Sequence, residues 1–209
     1  MSHKTKLKVC GVTTPEDAQT LVELGVDAIG INFYPKSKRY IKPEDAKPFL
    51  DEIKGEIERI GVFVDEDIAV VKQLITEDYI DVAQLHGNED NTYCQELIDH
   101  KIDFIRVIRV QANDTSIKLP KVTGNRVLLD THVTGYGGAG ESFDWNLATQ
   151  FMQDHPDHQV IMAGGITPEN IAEACKIHPH MIDVASGVES SPGIKDQEKI
   201  LIISDYLNK

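Results

Sequence analysis

Short apolar runs rich in β-branched residues alternate along this chain with longer segments in which apolar residues recur every three or four positions. Runs of the first kind are typical of buried β-strands, and segments of the second kind are typical of helices with one apolar face. The strand-like runs lie at Leu7–Val12, Ala28–Phe33, Ile57–Val64, Val82–His86, Phe104–Val110, Val127–Asp130, Val160–Ala163 and Ile182–Ala185. The pattern therefore predicts eight successive strand–helix units.

Several of the segments between these runs begin with residues that favour the start of a helix. The dipeptides Thr14-Pro15 and Thr167-Pro168 each precede an acidic residue. A Thr side chain at the cap accepts hydrogen bonds from free N–H groups, a Pro suits the first turn, and an acidic side chain suits the helix dipole. The fifth unit is the weakest, because residues 111–124 have little apolar periodicity, and its helix is expected to be short or irregular.

Eight strands that alternate with helices can close into a barrel or lie in an open doubly wound sheet. A dinucleotide-binding open sheet carries GxGxxG directly after its first strand, whereas this chain has Cys-Gly-Val-Thr at residues 10–13 and most of its glycines in the second half. No linker or low-complexity tract interrupts the pattern. The sequence therefore favours an α/β fold with a single (β/α)8 TIM barrel of eight parallel strands, formed by residues 1–209 as one domain.

The charge balance of the chain restricts the class of partner. Acidic residues number 34 and basic residues 21, which gives a net charge of −13. A nucleic-acid phosphate backbone is met by clustered Lys and Arg, so we expect no nucleic-acid partner. An anionic substrate would have to be held locally, by backbone N–H groups and a few placed cations.

The cysteines and the apolar runs indicate the compartment. Cys10, Cys94 and Cys175 are an odd number, lie far apart and form no CxxC pair, which predicts free thiols in a reducing environment. The first residues lack the apolar core of a signal peptide, and no run approaches the roughly 18 apolar residues of a membrane span. We therefore expect a cytoplasmic protein without membrane contact.

The strand that ends at Asp130 is followed by a loop with four glycines, Gly135, Gly137, Gly138 and Gly140. Because strand side chains alternate, Asp130 shares a face with Leu128, while Val127 and Leu129 take the other face. In a parallel barrel the catalytic groups lie at the carboxyl-terminal ends of the strands. Asp130 is therefore a candidate catalytic carboxyl group, and an Asp that only caps the following turn is the alternative.

Cys10 lies at the end of the first strand and shares its face with Lys8. A thiol at a strand end near a basic residue can lose its proton and act as a base or a nucleophile. The alternative is that Cys10 is only a small buried apolar residue. We expect Cys94 and Cys175, which lie inside helix patterns, to be residues of that structural kind.

Polar side chains also follow the second and fourth strands. Lys36, Lys38 and Arg39 lie in one loop, where an Arg suits a carboxylate because its fork binds both oxygens, and a solvated basic loop is the alternative. Gln84 and His86 share a face at the end of the fourth strand. They are candidates for substrate contacts, although a His that is merely hydrogen-bonded at the rim remains open.

The last two units predict a phosphate site. Gly164 and Gly165 follow the seventh strand, and Ser186 and Gly187 follow the eighth. Glycines let the backbone approach an oxyanion closely, and free N–H groups at a helix start bind phosphate. In (β/α)8 barrels a phosphate site is frequently built from these two loops.

Several segments, taken together, resemble the successive signature segments of the phosphoribosylanthranilate isomerase family of tryptophan biosynthesis. The resemblance runs from Lys8 to Asp196, lapses only in the fifth unit and implies a single-domain (β/α)8 barrel. It rests on the segments KVCGVTTPEDA, GVDAIGINFYPKSKRYI, IGVFVDED, VAQLHGNED, LLDTHVTGYGGAGESFDW, AGGITPENI and IDVASGVESSPGIKD.

The resemblance implies an enzyme that performs an Amadori rearrangement of a small phosphorylated aminosugar, with no metal and no organic cofactor. Asp130 matches the family's general acid and Cys10 its general base. Arg39 matches the residue that faces the anthranilate carboxylate, and His86 and Asp183 match positions near the substrate that are assigned no step. The phosphate-binding positions are Gly164, Gly165, Ser186 and Gly187. We expect a monomer, with a dimer as the alternative.

These roles require opposite shifts of two pKa values. Asp130 must keep its proton near neutral pH, so its pKa should be raised by burial or by a neighbouring acid. Cys10 must lose its proton, so we expect nearby Lys8 to lower the pKa of the thiol. The glycine-rich loop after Asp130 is expected to close over bound substrate.

Other phosphosugar enzymes on the same barrel and a non-catalytic metabolite-binding barrel are the competing hypotheses. A pentose-phosphate epimerase would bring paired carboxylates with a metal, and indoleglycerol-phosphate synthase would bring Lys and Glu catalysts. Neither pattern stands at the strand ends, which carry Cys10 and Asp130 instead. A regulator that only binds a phosphorylated ligand would have no use for either residue.

Overall fold

The computed structural model describes residues 4–111, 113–131 and 145–208. Within them, parallel strands follow one another in chain order around a closed barrel, and β8 pairs with β1 to complete it. The strands are β1 (Lys6–Cys10), β2 (Ala28–Asn32), β3 (Glu58–Phe63), β4 (Val82–Leu85), β5 (Phe104–Val110), β6 (Arg126–Thr131), β7 (Gln159–Ala163) and β8 (Met181–Val184). The predicted eight-stranded parallel barrel is confirmed.

Among the described residues, a helix follows each barrel strand except β5, and the last helix follows a hairpin that comes after β8. The helices are α1 (Pro15–Glu23), α2 (Pro43–Glu52), α3 (Ile68–Thr76), α4 (Asn91–Asp99), α5 (Trp145–Asp154), α6 (Ile171–Cys175) and α7 (Gln197–Leu207). After β8, a short 3-10 helix (Ser186–Val188) leads into a two-stranded antiparallel hairpin of β9 (Glu189–Ser191) and β10 (Ile194–Lys195). In the part of the chain described here, no helix combines the length and the apolar character needed to cross a membrane.

The two Thr-Pro dipeptides behave differently. Thr14 caps α1, and its side chain accepts a hydrogen bond from the backbone N–H of Asp17 at 3.2 Å. The prediction that Thr167 caps a helix is wrong in position, because α6 begins after Asn170, although the Thr167 side chain still accepts a hydrogen bond from the Glu169 N–H at 3.3 Å. The Asn170 side chain accepts from the Thr167 N–H and donates to the Gly165 carbonyl, both at 2.8 Å, which holds residues 165–170 in a turn.

The connection between β5 and β6 carries no helix in residues 111 and 113–125, whereas its weak periodicity predicted a short or irregular one. Ile117, Leu119 and Val122 nevertheless pack against the core while remaining partly exposed. Arg106 holds the loop by donating to the Val122 carbonyl and, at 2.9 Å, to the side chain of Asn91. Isolated apolar contacts and one Arg therefore cover this side of the barrel in place of a helix.

The apolar core has two layers, one inside the barrel and one between the strands and the surrounding helices. The inner cluster consists of Ala28, Ile60, Val82, Ile105, Leu128, Ile161, Ala163 and Met181. Leu128 belongs to this cluster, whereas Val127 and Leu129 belong to the layer under the helices, as alternation along the strand predicted. Asp130, two residues beyond Leu128, therefore points toward the inside of the barrel at its carboxyl-terminal end.

Arg59 of β3 carries a buried charge on the helix-facing side of the barrel. Its side chain is 0% exposed. Its guanidinium donates to Asp81 at 2.7 Å, to Asp78 at 2.8 Å and to the carbonyls of Asp78 and Leu50. These bonds tie β3 to the turn that precedes β4.

We expect Arg59→Ala to lower the free energy of unfolding by about 3 kcal/mol, because it leaves a cavity and removes the hydrogen bonds that the buried guanidinium makes to Asp78 and Asp81. Urea unfolding followed by circular dichroism measures the change. Lys54→Ala is the matched control, since Lys54 pairs with the same Asp78 but at the surface, and it should cost under about 1 kcal/mol. Equal stability of the two variants would contradict this role of Arg59.

Candidate active site

Predicted site residues stand together at the carboxyl-terminal end of the barrel. Cys10 ends β1, Asp130 lies near the end of β6, Asp183 lies in β8, and His86 directly follows β4. The last three side chains each follow a member of the inner cluster by two or four residues, so they point into the barrel mouth. The fold thus brings together groups that are widely separated in the chain.

Asp130 contacts His86 across the mouth. The Oδ2 atom of Asp130 lies 3.1 Å from Nε2 of His86, and both side chains are about one quarter exposed, at 23% and 28%. The other ring nitrogen of His86, Nδ1, lies 3.2 Å from Nε2 of Gln84. The prediction that Gln84 and His86 share a face is confirmed, and the two residues form a chain that ends on Asp130.

The orientation of the Gln84 amide is coupled to the proton on Asp130. With the Gln84 NH2 group donating to Nδ1, the His86 ring donates from Nε2 and Asp130 accepts as a carboxylate. In this orientation Oε1 of Gln84 is buried and has no hydrogen-bond partner among the described residues. If the Gln84 amide is turned over, its Oε1 accepts a hydrogen bond from Nδ1–H of His86. Nε2 of His86 then accepts a hydrogen bond from Asp130 in its carboxylic acid form. The same three residues thus accommodate Asp130 with or without its proton.

The thiol of Cys10 lies beside the ammonium group of Lys8. A Cβ atom built on Gly30 would be 2.6 Å from the Cys10 sulfur and 3.0 Å from Nζ of Lys8. The sulfur and the ammonium nitrogen therefore lie close to the same point beside Gly30. Lys8 is 0% exposed and donates to Oδ2 of Asp183 at 2.7 Å. Its charge is therefore shared between a carboxylate and the thiol.

The prediction that Lys8 lowers the pKa of Cys10 below its ordinary value is wrong. Burial raises the pKa of the Cys10 thiol, and the attraction of Lys8, which lowers it, does not compensate. Burial is the largest cause, and the carboxylate of Asp183 adds a smaller contribution that raises the pKa of Cys10 while it also pairs with Lys8. Without substrate, Cys10 therefore rests as a thiol.

Asp183 connects the two candidate catalytic groups. It is 7% exposed, and its Oδ1 atom has no hydrogen-bond partner in the described part of the chain. Burial raises the pKa of Asp183, Lys8 lowers it, and the carboxylate also interacts electrostatically with His86 and Asp130. Asp183 is thus within electrostatic reach of both Cys10 and Asp130, and its Oδ1 is a buried acceptor able to meet a substrate hydroxyl.

Arg39 is paired with a residue that sequence reasoning missed. Its Nε and Nη2 atoms donate to the two carboxylate oxygens of Glu189 at 2.7 and 2.6 Å. The Arg39 side chain is 24% exposed, so the alternative of a solvated basic loop does not hold for it, whereas Lys36 and Lys38 are exposed. Arg39, Lys38, Ser186 and residues 189–192 line a cleft of about 400 Å³, which we call the Arg39 cleft.

The two loops predicted to bind phosphate touch each other. A Cβ atom on Gly187 would lie 1.9 Å from the carbonyl oxygen of Ile166, so only a glycine permits this approach. Gly164 and Gly165 both have positive φ, at 89° and 64°, a region that L side chains rarely adopt. Ser186 opens the 3-10 helix that precedes Glu189. The loops after β7 and β8 therefore form one continuous surface.

Arg109 is a second residue that sequence reasoning missed, because it lies in the unit with the weakest pattern. It pairs in register with Asp130 on the neighbouring strand, and its Nη2 donates to the His86 carbonyl. Arg109 lies four residues after Ile105 of the inner cluster, so alternation along β5 points this charged side chain toward the mouth. That spacing was the sequence signal that could have identified Arg109. Arg109 braces the strand end that carries His86.

Other predicted features have plainer outcomes. Cys94 is fully buried in the core, as the structural interpretation predicted, and Cys175 is partly buried. Among the described residues, no group of three or more His, Cys, Asp or Glu side chains is arranged to hold a metal ion. The glycine-rich segment 135–140, and with it the predicted closing loop, lies outside the described residues.

Comparison with known sequences identifies relatives along the whole barrel. The family described as N-(5'-phosphoribosyl)anthranilate (PRA) isomerase matches residues 7–205. The N-(5'-phosphoribosyl)anthranilate isomerase of Trichlorobacter lovleyi is 39% identical over 197 residues, which cover 93% of this chain and 94% of that protein. The enzyme of the same name from Thermotoga maritima is 37% identical over 196 residues, which cover 93% and 94%.

Solved structures agree with the sequence relatives. The crystal structure of phosphoribosyl anthranilate isomerase from Thermotoga maritima superposes with a TM-score of 0.82 at 34% identity, covering 98% of both chains. A phosphoribosyl anthranilate isomerase in complex with reduced 1-(o-carboxyphenylamino)-1-deoxyribulose 5-phosphate superposes with a TM-score of 0.78 at 31% identity, again over 98% of both chains. By its sequence and by its fold, this chain belongs to the N-(5'-phosphoribosyl)anthranilate isomerase family.

Proposed function

We propose that this chain catalyses the Amadori rearrangement of N-(5-phosphoribosyl)anthranilate to 1-(2-carboxyphenylamino)-1-deoxyribulose 5-phosphate, with Asp130 as general acid and Cys10 as general base. The chain is an isomerase of its family, which acts in tryptophan biosynthesis. The observation that carries the assignment of roles is the position of Asp183, which interacts electrostatically with both Cys10 and Asp130 in one barrel mouth.

The reaction needs one proton donated and one removed. Asp130 would protonate the ring oxygen of the ribose as the ring opens to a Schiff base, and this donation leaves Asp130 as a carboxylate that can accept the His86 N–H. Cys10 would then take the proton from C2, which gives an enolamine that becomes the ketone product. Neither step changes the oxidation state of the substrate as a whole.

A thiol with a raised pKa can still serve as the base in this scheme. The Schiff base formed by ring opening carries positive charge next to C2, which makes the C2 proton more acidic and favours a thiolate nearby. The buried ammonium of Lys8 would stabilise that thiolate as it forms. Substrate binding and ring opening would thus release the thiol proton to solvent and create the active base, and the empty site would hold the unreactive thiol.

Phosphate binding is assigned to Gly164, Gly165, Ser186 and Gly187, in the two loops that meet at Ile166. Backbone N–H groups would neutralise the phosphate without a dedicated cation, which suits so acidic a protein. The relative crystallised with a reduced ribulose 5-phosphate derivative supports a phosphorylated ligand for this fold.

We expect Gly187→Ala to raise the KM by about tenfold or more with a smaller change in kcat, because its methyl group would push the two loops apart. Steady-state kinetics and competition by inorganic phosphate measure the effect, and the phosphate inhibition constant should rise in parallel. Lys176→Ala, at an exposed position directly after α6, is the control and should leave both constants unchanged. An unaltered phosphate inhibition constant in Gly187→Ala would remove this loop from the phosphate site.

We expect Arg39→Ala to weaken substrate binding more than turnover, because a carboxylate on the substrate is bound equally in the ground state and the transition state. KM should rise by about tenfold or more, consistent with loss of a charge-assisted pair. Lys36→Ala in the same loop is the matched control, since Lys36 is exposed. Equal losses in KM and kcat for Arg39→Ala would mean that Arg39 acts on the transition state.

The direct test is to generate phosphoribosylanthranilate in solution and to follow the loss of its fluorescence with and without the purified protein. We expect rapid loss with the wild-type chain and a loss about a hundredfold slower, or slower still, with Asp130→Asn. Absence of any acceleration by the wild-type chain would overturn the proposed function.

Three further assignments accompany this proposal. The free thiols of Cys10, Cys94 and Cys175 support a reducing compartment, and we assign the chain to the cytoplasm. We propose that residues 1–209 act as one domain and as a monomer. The isomerase of Thermotoga maritima is described as dimeric, so sedimentation velocity of this chain decides between one and two copies.

A further inference from the structure

The carboxylate of Glu189 lies at the centre of a buried charge cluster beside the Arg39 cleft. It accepts from Arg39 at 2.7 and 2.6 Å, from Nζ of Lys195 at 2.8 Å and from the backbone N–H of Gly193 at 3.2 Å. Its side chain is only 4% exposed. Burial raises the pKa of Glu189, but the bonds from Arg39 and Lys195 outweigh burial and lower it to about 2. The carboxylate is therefore charged throughout the working pH range.

The same cluster is connected to the backbone of the candidate base. Nζ of Lys195 donates to the carbonyl oxygen of Cys10 at 2.6 Å, and the Lys195 side chain is 1% exposed. Arg39 packs over the next residue, because a Cβ on Gly11 would lie 2.2 Å from Cδ of Arg39. Glu189 thus joins the loop after β2, the end of β1 and the hairpin after β8.

The contacts of Glu189 fix the direction of the Arg39 guanidinium. A guanidinium carries five N–H bonds in a plane, and Glu189 meets the edge formed by Nε and Nη2. The edge formed by Nη1 and Nη2 has the geometry that meets a carboxylate with two parallel hydrogen bonds. Because two hydrogen bonds already hold the Arg39 side chain in one orientation, binding an anion costs little further side-chain conformational entropy.

The charges of the cluster also favour an anion. One carboxylate, Glu189, faces two cations, Arg39 and Lys195, so the cluster keeps one net positive charge. In a chain with a net charge of −13, this local excess attracts a single carboxylate against the overall field.

We propose that Glu189 is a positioning residue that sets the preference of this enzyme for a substrate whose aromatic ring carries a carboxylate, by holding the guanidinium of Arg39 toward that group. This inference rests on the proposed function, in which Arg39 faces the anthranilate carboxylate. It gives Glu189 no contact with the reacting atoms. Its effect is on discrimination between ligands and passes through Arg39.

The test compares two ligands that differ only in the carboxylate. They are reduced 1-(o-carboxyphenylamino)-1-deoxyribulose 5-phosphate and its phenylamino counterpart, and titration calorimetry gives the Kd of each without turnover. Wild-type protein should bind the carboxylated ligand more tightly. Glu189→Gln should reduce this preference by about tenfold or more, by weakening the carboxylated ligand and leaving the phenylamino ligand nearly unchanged.

Two further variants separate positioning from simple damage to the fold. In an Arg39→Ala background, adding Glu189→Gln should change the preference no further, because the second residue acts only through the first. Glu58→Gln removes a carboxylate from the Arg126 ion pair, at a strand's amino-terminal end, and should leave the preference at the wild-type value. If Glu189→Gln is unfolded by circular dichroism, Glu189→Asp, which keeps the charge but shortens the reach, provides the same comparison.

Equal weakening of both ligands by the Glu189 variants would overturn the proposal, and so would a further loss of preference in the Arg39→Ala background. The fluorescence assay with wild-type protein is run in parallel. If wild-type protein turns over phosphoribosylanthranilate and the preference does not respond to Glu189, only the positioning role fails. If wild-type protein neither isomerises the substrate nor binds either ligand, the proposed function itself fails.

Discussion

Replacing Asp130 by Asn is expected to lower kcat by about a hundredfold or more while the barrel stays folded. An amide matches the carboxyl group in size and can still contact His86, but it has no acidic proton to give to the ring oxygen. A positioned general acid is worth about this much in rate. Because the acid form is the active one, activity should fall as pH rises through the pKa of Asp130. Our prediction that this pKa is raised stays open to that measurement.

Single-turnover kinetics, read beside circular dichroism and urea unfolding, isolate the chemical step from folding. His86→Gln is the matched control, since it alters the partner of Asp130 and removes no acid proton from the proposed scheme. We expect it to cost less than the Asp130 variant by about tenfold or more. A rate for Asp130→Asn close to that of the wild-type chain would exclude Asp130 as the acid.

Replacing Cys10 by Ala is expected to have an effect of similar size, a loss of about a hundredfold or more in kcat. In the proposed scheme the thiol receives the C2 proton, and Lys8 beside it would stabilise the thiolate. Cys94→Ala is the matched control, because Cys94 is a buried core residue of α4 outside the mouth, and it should affect stability rather than kcat. Turnover of Cys10→Ala near the wild-type value would exclude Cys10 as the base.

The raised pKa of Cys10 has a measurable consequence in the free enzyme. The thiolate fraction increases with pH until pH passes the pKa, so alkylation of Cys10 by iodoacetamide should still be accelerating at about pH 9. Peptide mass spectrometry separates this site from Cys175, whose pKa burial raises to about 11. A rate of Cys10 alkylation that levels off near neutral pH would show instead that Lys8 dominates and that the thiolate is preformed.

The Cys10 result shows why the candidate site was only partly predictable. Alternation placed Lys8 on the same face as Cys10, and the structure agrees. The pKa of Cys10 is raised because burial of the thiol outweighs the attraction of Lys8, and Asp183 adds to the effect of burial. Asp183 is 175 residues from Lys8 in the chain and reaches it only because β8 closes the barrel against β1. A neighbouring cation predicts a lowered thiol pKa only when the thiol stays hydrated and no carboxylate neutralises that cation.

The sequence by itself determined the eight strands, their order and the side chains that line the mouth. Periodicity is a local property, and a period of two assigns each side chain of a strand to the inside or the outside without knowledge of the rest of the fold. It therefore located Cys10, Asp130, His86 and the glycines of the last two loops. Loss of that periodicity after β5 likewise identified the unit whose helix would be irregular, although it did not predict that residues 113–125 carry none.

Only the tertiary structure decided which charges meet. Arg39 and Glu189 are 150 residues apart, and nothing in the local pattern selects Glu189 from the 34 acidic residues of the chain. Pairing of this kind depends on barrel closure, on the path of the loops and on burial, because a charge leaves water only where an opposite charge and hydrogen bonds replace its hydration. The direction in which Arg39 points follows from those long-range pairs, and the resting thiol of Cys10 follows from burial together with the Lys8–Asp183 pair.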